Sequence, residues 1–357
     1  MKSKKTMHRI LLHLLLSGLG LALFAYLVIS SGVNWKQLRE LDLAPLGFYF
    51  VSSSLVIVFD TIGWYYAVRH LAIPPWGPLF ALRVAGDALT NGIPGGVVLG
   101  EAYRAVMLRE RCGLSLADNA ATLLLIKLGL GLSQAMFVTI GVGLCFPQLQ
   151  ARSTELLGYP GAGFVALGAT VLMALLLVVL FRLLLRGTAF SSMARALTRL
   201  PLPAIGNWFD RRRASFERFD DGCRQAVNGN SANLIWTFFW LFVGWLATAL
   251  ESYLLLAALG LSAAGWRQAY VIEAVGSIFR LVFFMVPSGI GGQDATLVAL
   301  FRLYDLPREQ SGAYIMIKRL KELVWIGAGL LLIPLLGRRS RRRAEHAPGE
   351  PLRESGE

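Results

Sequence analysis

Charge is in short supply in this sequence: Asp, Glu, Lys and Arg make up 16% of its 357 residues, where a soluble domain carries about a quarter. Cysteine is scarcer still. Cys112, Cys145 and Cys223 form no CxxC pair and the four histidines, His8, His13, His70 and His346, are dispersed, so neither a disulfide framework nor a zinc site is indicated. No G-x-x-x-x-G-K-[ST] loop occurs, which argues against direct ATP drive. No paired nucleophile and base is legible, and no cofactor, metal or catalytic residue is expected. Acidic residues are outnumbered, 22 against 35 basic, for a net charge of +13. The basic residues cluster at segment ends and in both tails, where they meet anionic lipid headgroups rather than nucleic acid.

Apolar residues are plentiful, at 55% with a mean hydropathy of +0.56, as in a membrane protein. The basic stretch MKSKKTMHR precedes an apolar run from Ile10 to Ile29 that is about 20 residues long and has no A-x-A-like cleavage site; it reads as a retained first helix. Further spans are expected at about 44–69, 117–146, 161–186, 232–260 and 313–337, while 76–109 and 267–303 are broken by Gly and Pro. The expected fold is an all-α polytopic membrane protein with about six full spans plus two re-entrant hairpins in an inverted repeat. One domain covers 1–337, with repeat one at about 44–146 and repeat two at about 232–337, and 338–357 forms a disordered basic tail.

The positive-inside rule places the N-terminus in the cytoplasm. Six spans then put the arginine-rich loop 187–231 and the C-terminus, with Arg338, Arg339 and Arg341 to Arg343, on the same side. Loops counted as outside hold only Lys36, Arg39 and Arg152. Hairpins that cross fully would preserve this parity. Within 187–231, Phe209, Phe216, Phe219, Cys223 and Val227 recur at helical spacing between arginines; an amphipathic helix on the inner leaflet and one packed on the bundle both fit.

The broken segments read IPGGVVLGEAYRAVMLRER from Ile93 and VPSGIGGQDATLVALFRLY from Val286. Aligned on Pro94 and Pro287, Gly96 matches Gly289 and Val97 matches Ile290. An acid follows seven residues after each proline, Glu101 and Asp294, and an arginine eight residues later, Arg109 and Arg302. Each unit continues into a helix carrying a cation, Lys127 or Arg319, and is preceded by a span holding an acid, Asp60 or Glu251. Broken backbone frees N–H and C=O groups that hydrocarbon does not satisfy, so it must line a polar cavity or lie buried in protein. Matching breaks in inverted halves point to a midplane site in transporters, and the helix N-termini after the glycines would face a bound anion.

Buried ionisable residues cost roughly 2.5–3.5 kcal/mol at the membrane centre and are functional by default. The candidate lipid-binding residues are Pro94, Gly95, Gly96, Glu101, Arg109 and Lys127 in the first unit. Their counterparts in the second are Pro287, Gly289, Gly291, Asp294, Arg302 and Arg319, and Asp60, Glu251, Glu273 and Arg280 complete the set. For Asp87, Arg104, Lys318 and Lys321, structural pairing or snorkelling is an equal alternative.

At these residues the sequence resembles the lysylphosphatidylglycerol synthase transmembrane-region family, over about residues 5–337. The family's PGGxGGE-type motif appears as Pro94-Gly95-Gly96-Val97-Val98-Leu99-Gly100-Glu101, and its P-x-G-[LIV]-G-x-x-E motif as Pro287-Ser288-Gly289-Ile290-Gly291-Gly292-Gln293-Asp294, with Asp where Glu is usual. LSQAMFVTIGVGL from Leu132 and IKRLKELVW from Ile317 resemble the hopanoid-biosynthesis-associated, HpnL-like branch. The soluble aminoacyl-transferase domain of fused relatives is not expected here, so synthase activity is not carried over. The resemblance implies a flippase-like protein of the bacterial inner membrane that moves a lipid, hopanoid or anionic or aminoacylated phospholipid, or holds it for lipid-biosynthesis enzymes. A membrane enzyme using Glu101 or Asp294 as general base, and a non-catalytic scaffold, are the alternatives.

Overall fold

The computed structural model describes residues 41–69, 73–93, 96–112, 116–186, 231–282 and 292–346. The expected first helix at 10–29 and the amphipathic stretch from Phe209 to Val227 lie outside them. Ten helices and no strand form among the described residues: α1 Leu43–Val68, α2 Trp76–Gly92, α3 Gly96–Cys112, α4 Leu116–Ala151, α5 Ser153–Leu157, α6 Ala162–Leu185, α7 Ser231–Ala258, α8 Trp266–Val282, α9 Gly292–Leu303 and α10 Arg308–His346.

Local chemistry sets the boundaries. The Asp42 carboxylate caps α1 by accepting the Ala44 N–H at 3.0 Å. α2 stops where Ile93, preceding Pro94, is forced into extended backbone. α7 ends on Gly260 at φ +74°, where the Leu261 N–H donates back to the Leu256 carbonyl at 2.9 Å.

Among the described residues, four helices are long and apolar enough to cross a membrane: α1, Thr122–Ala151 of α4, Ala162–Leu183 of α6 and Ala232–Ala258 of α7. They fall on four of the expected spans. The expected span 313–337 lies inside α10, but its first half carries Lys318, Arg319, Lys321 and Glu322. α10 also runs on to His346, past Gly337, where the sequence alone predicts disorder. A nucleated helix extends at little cost, and Arg, Ala and Glu are good helix formers.

Helices α1–α4 and α7–α10 form two quartets whose contacts largely exchange. The most extensive contact is α1 on α7, which maps onto itself. The α2–α3 and α8–α9 hairpins correspond, and α2 packs on α10 as α8 packs on α4. Both crossed contacts are backbone-close. A Cβ on Gly329 of α10 would lie 2.5 Å from the Val84 carbonyl oxygen, and one on Gly141 of α4 would lie 2.3 Å from the Ala274 Cβ. α6 stands outside against α4, with Phe164, Val165, Leu172, Leu175, Leu176 and Val179 exposed, an apolar face suited to lipid.

Contacts at the helix ends set the relative sense of the helices. The Asp42 N–H at the start of α1 donates to the Ala258 carbonyl at the end of α7, 3.1 Å away. Arg267, at the start of α8, donates to the Leu144 carbonyl near the end of α4, at 3.2 Å through Nε. Arg152, just beyond α4, donates to the Arg302 and Leu303 carbonyls at the end of α9. The start of α1, the ends of α4 and α7, and both outer ends of the α8–α9 hairpin therefore share one side. Since α1 starts there and α7 ends there, these two helices run in opposite senses.

Candidate functional site

Each quartet holds a set of buried and half-buried ion pairs. In the first, Asp60 of α1 accepts from Arg83 at 2.7 Å, and Arg83 also holds Asp87 at 2.9 Å. Arg104 of α3 reaches both Asp87 and Glu101, and Lys127 of α4 holds Glu101 at 2.7 Å. Three acids and three bases alternate across four helices. Glycine makes room for them: a Cβ on Gly86 would meet Arg104 Nε at 2.3 Å, and one on Gly244 would meet the Asp60 carboxylate at 2.7 Å.

In the second quartet the cations come from one turn of α10. Lys321 donates to Glu251 of α7 at 2.6 Å, Lys318 to Glu273 of α8, and Arg319 to Asp294 of α9 through Nε at 3.1 Å and to Glu322. The Tyr314 hydroxyl donates to the same Glu273 oxygen at 3.0 Å and lies 2.6 Å from the Ser252 hydroxyl. Buried charges persist only when paired and hydrogen-bonded.

Between the quartets lies a cavity of about 190 Å³. α1 contributes Ser53 and Val56, α2 Asp87 and Asn91, α7 Trp245, Thr248 and Glu251, α8 Glu273 and Ser277, and α10 Lys318, Lys321, Glu322 and Trp325. The Trp325 indole N–H donates to the Ser53 hydroxyl at 3.0 Å, and Trp245 stacks on Phe137. A space of this size holds several waters or a small polar group. Four carboxylates and two ammonium groups line it, with two tryptophans to meet apolar surface.

Of the residues singled out in the sequence, Glu251 and Glu273 line this cavity, as do Asp87, Lys318 and Lys321, for which the sequence leaves structural pairing as an equal alternative. Glu101 meets Lys127 and Asp294 meets Arg319, behind the cavity wall rather than in it. Asp60 is likewise set back, on Arg83. Gly96 does not line the cavity: a Cβ there would lie 2.0 Å from the Leu89 carbonyl oxygen, so its position seals the α2–α3 hairpin. Arg109 and Arg302 are exposed on α3 and α9. Arg280 belongs to α8, with its side chain outside the described residues, as are Pro94, Gly95, Pro287, Gly289 and Gly291. Arg83 escaped the sequence reading, although its spacing four residues before Asp87 is the signal for an ion pair on one helix face. Among the described residues no cluster of His, Cys, Asp and Glu is arranged to hold a metal ion.

A family model, Lysylphosphatidylglycerol synthase TM region, matches residues 10–329. The chain belongs to this family. Neither a curated protein nor a solved structure matches it. Within the family region lie both ion-pair chains and the whole cavity, so the charged interior is part of the lysylphosphatidylglycerol synthase transmembrane region. That region is a multi-pass membrane domain with a membrane-lipid-related role.

Proposed function

We propose that this protein is a flippase-like lipid transporter of the bacterial inner membrane, with both termini cytoplasmic and no chemistry of its own. The two quartets are inverted repeats, and the α2–α3 and α8–α9 hairpins are re-entrant. At about 1.5 Å per residue, the 17 residues of α8 and 12 of α9 reach roughly 25 and 18 Å, short of a hydrocarbon core of about 30 Å. One observation carries the reading: a cavity lined by acids from both quartets and by two lysines of α10, bordered by the apolar helices α1 and α7. A polar headgroup enters that cavity while the acyl or polycyclic body stays in the bilayer, and inverted halves supply two alternative openings. Hopanoid and anionic or aminoacylated phospholipid are the substrate classes the family resemblance favours.

The test is lipid analysis of separated inner and outer membranes from a strain lacking the protein, complemented with wild type or with Glu251→Gln plus Glu273→Gln. A lipid class that is still made but accumulates in the wrong membrane, corrected only by wild type, supports transport. A lipid that disappears while its precursor builds up replaces transport with an enzymatic or enzyme-recruiting role.

A further inference from the structure

Lys318 and Lys321 stand three residues apart on one face of α10, and both open onto the cavity. They are the ammonium groups in its wall, and each is held by a carboxylate that also lines it, Glu273 for Lys318 and Glu251 for Lys321. A phosphate group entering this space meets two cations already engaged by two acids. Lysine is suited to the exchange, because its ammonium is a point charge on a flexible stem with three rotatable donors.

We propose, building on the transport reading, that a lipid phosphate displaces Glu251 and Glu273 from Lys321 and Lys318, and that the released carboxylates take up protons as it binds. A carboxylate that loses its cation in a desolvated site, with other acids near, favours its neutral form. Those neighbours surround the pair. Asp87 faces the cavity from α2 and Glu322 from α10, while Tyr49 of α1 lies under Lys321. Behind them Arg83 and Arg104 hold Asp87, and Arg319 holds Glu322 and Asp294. α4 supplies no described residue to this wall.

Glu273 is built to change state without losing its hydrogen bond. The Tyr314 hydroxyl donates to the carboxylate, and the same hydroxyl oxygen accepts from a carboxylic acid while passing its own proton toward Ser252, 2.6 Å away. The protons come from water on the side to which the cavity is open. When the phosphate leaves, each carboxylate loses its proton and pairs again with its lysine. Phosphate binding and proton binding are thereby coupled reciprocally, so a pH difference across the membrane biases where the lipid is released.

The experiment is calorimetric titration of the full chain in detergent with short-chain phosphatidylglycerol, at one pH in two buffers of different ionisation enthalpy. Inorganic phosphate serves as a second titrant. The expected result is net uptake of about one proton or more per lipid, removed in Glu251→Gln plus Glu273→Gln while affinity for the lipid rises roughly tenfold. Uptake with lipid and not with inorganic phosphate assigns the site to a lipid headgroup; the same uptake with both assigns it to phosphate as such. Lipid binding with no buffer dependence in the wild type overturns the coupling and leaves the transport reading standing. Absence of binding by both titrants overturns the phosphate site. The wild-type buffer comparison decides the matter even where the double variant fails to fold.

Discussion

Arg104 is 2% exposed, bonds to Glu101 and Asp87, and sits against Gly86 where a side chain would collide with it. Replacing it with Met keeps most of the volume but takes one of two cations from each carboxylate, Arg83 still holding Asp87 and Lys127 still holding Glu101, so the cost falls below the about 3–5 kcal/mol of leaving a buried charge unpaired. Arg104→Met is expected to lower the melting temperature in detergent markedly, whereas Arg109→Met, at an exposed position on the same helix, is expected to leave it unchanged. The ionisable residues of repeat two were largely visible in the sequence because a charge in an apolar run stands out. The pairings were not: nothing in the spacing states that Lys318 meets Glu273 or that Lys321 meets Glu251, and in the first unit Arg83, the partner of Asp60 and Asp87, does not stand out. Pairing across helices depends on which faces meet, and spacing along one chain does not state that.

At the scale of elements, close helix approach is set by glycine rather than by apolar bulk, as expected where lipid competes equally for apolar surface. Gly141→Ala and Gly329→Ala should each destabilise by about 1–3 kcal/mol through overpacking, read as loss of melting temperature. Gly143→Ala and Gly327→Ala, where an added Cβ meets nothing, should be neutral. The breaks at Pro94 and Pro287 were legible as segment interruptions, but the hairpin's closure through Gly96 and Gly100 was not, because the sequence does not reveal that α3 lies backbone to backbone on α2. At the far end of α9, Asp305 adopts φ +54° and receives two hydrogen bonds from Arg152, at 3.0 and 2.8 Å. Those bonds raise the Arg152 pKa above its ordinary value. A raised pKa keeps the arginine's side of the clamp charged throughout the neutral and alkaline range and releases it only above the usual arginine range. Asp305→Asn should therefore lower the melting temperature slightly, with a difference that is constant from neutral to mildly alkaline pH and fades in high salt.

For the molecule as a whole, the arrangement is two groups of four helices with a charged cavity between them and the paired acids Glu101 and Asp294 outside its lining. Motif spacing suggests two units; the opposite senses of α1 and α7 are legible only in the contacts at their ends, such as Asp42 on Ala258. The cavity itself was not legible, since it draws on five helices from both halves. With both termini cytoplasmic, as proposed, a single cysteine introduced at Asp305 is modified by an impermeant thiol reagent in intact spheroplasts, while one introduced at Arg109 is modified only after permeabilisation.

The most direct test of lipid movement through the cavity uses vesicles reconstituted with the full chain and a trace of headgroup-labelled fluorescent phospholipid, quenched from outside by dithionite. The account predicts that wild type exposes inner-leaflet label within minutes, that Lys318→Met plus Lys321→Met slows this at least tenfold, and that Asp305→Asn does not. Equal quenching in wild-type and protein-free vesicles for every headgroup tried, or full activity in the double lysine variant, would contradict it.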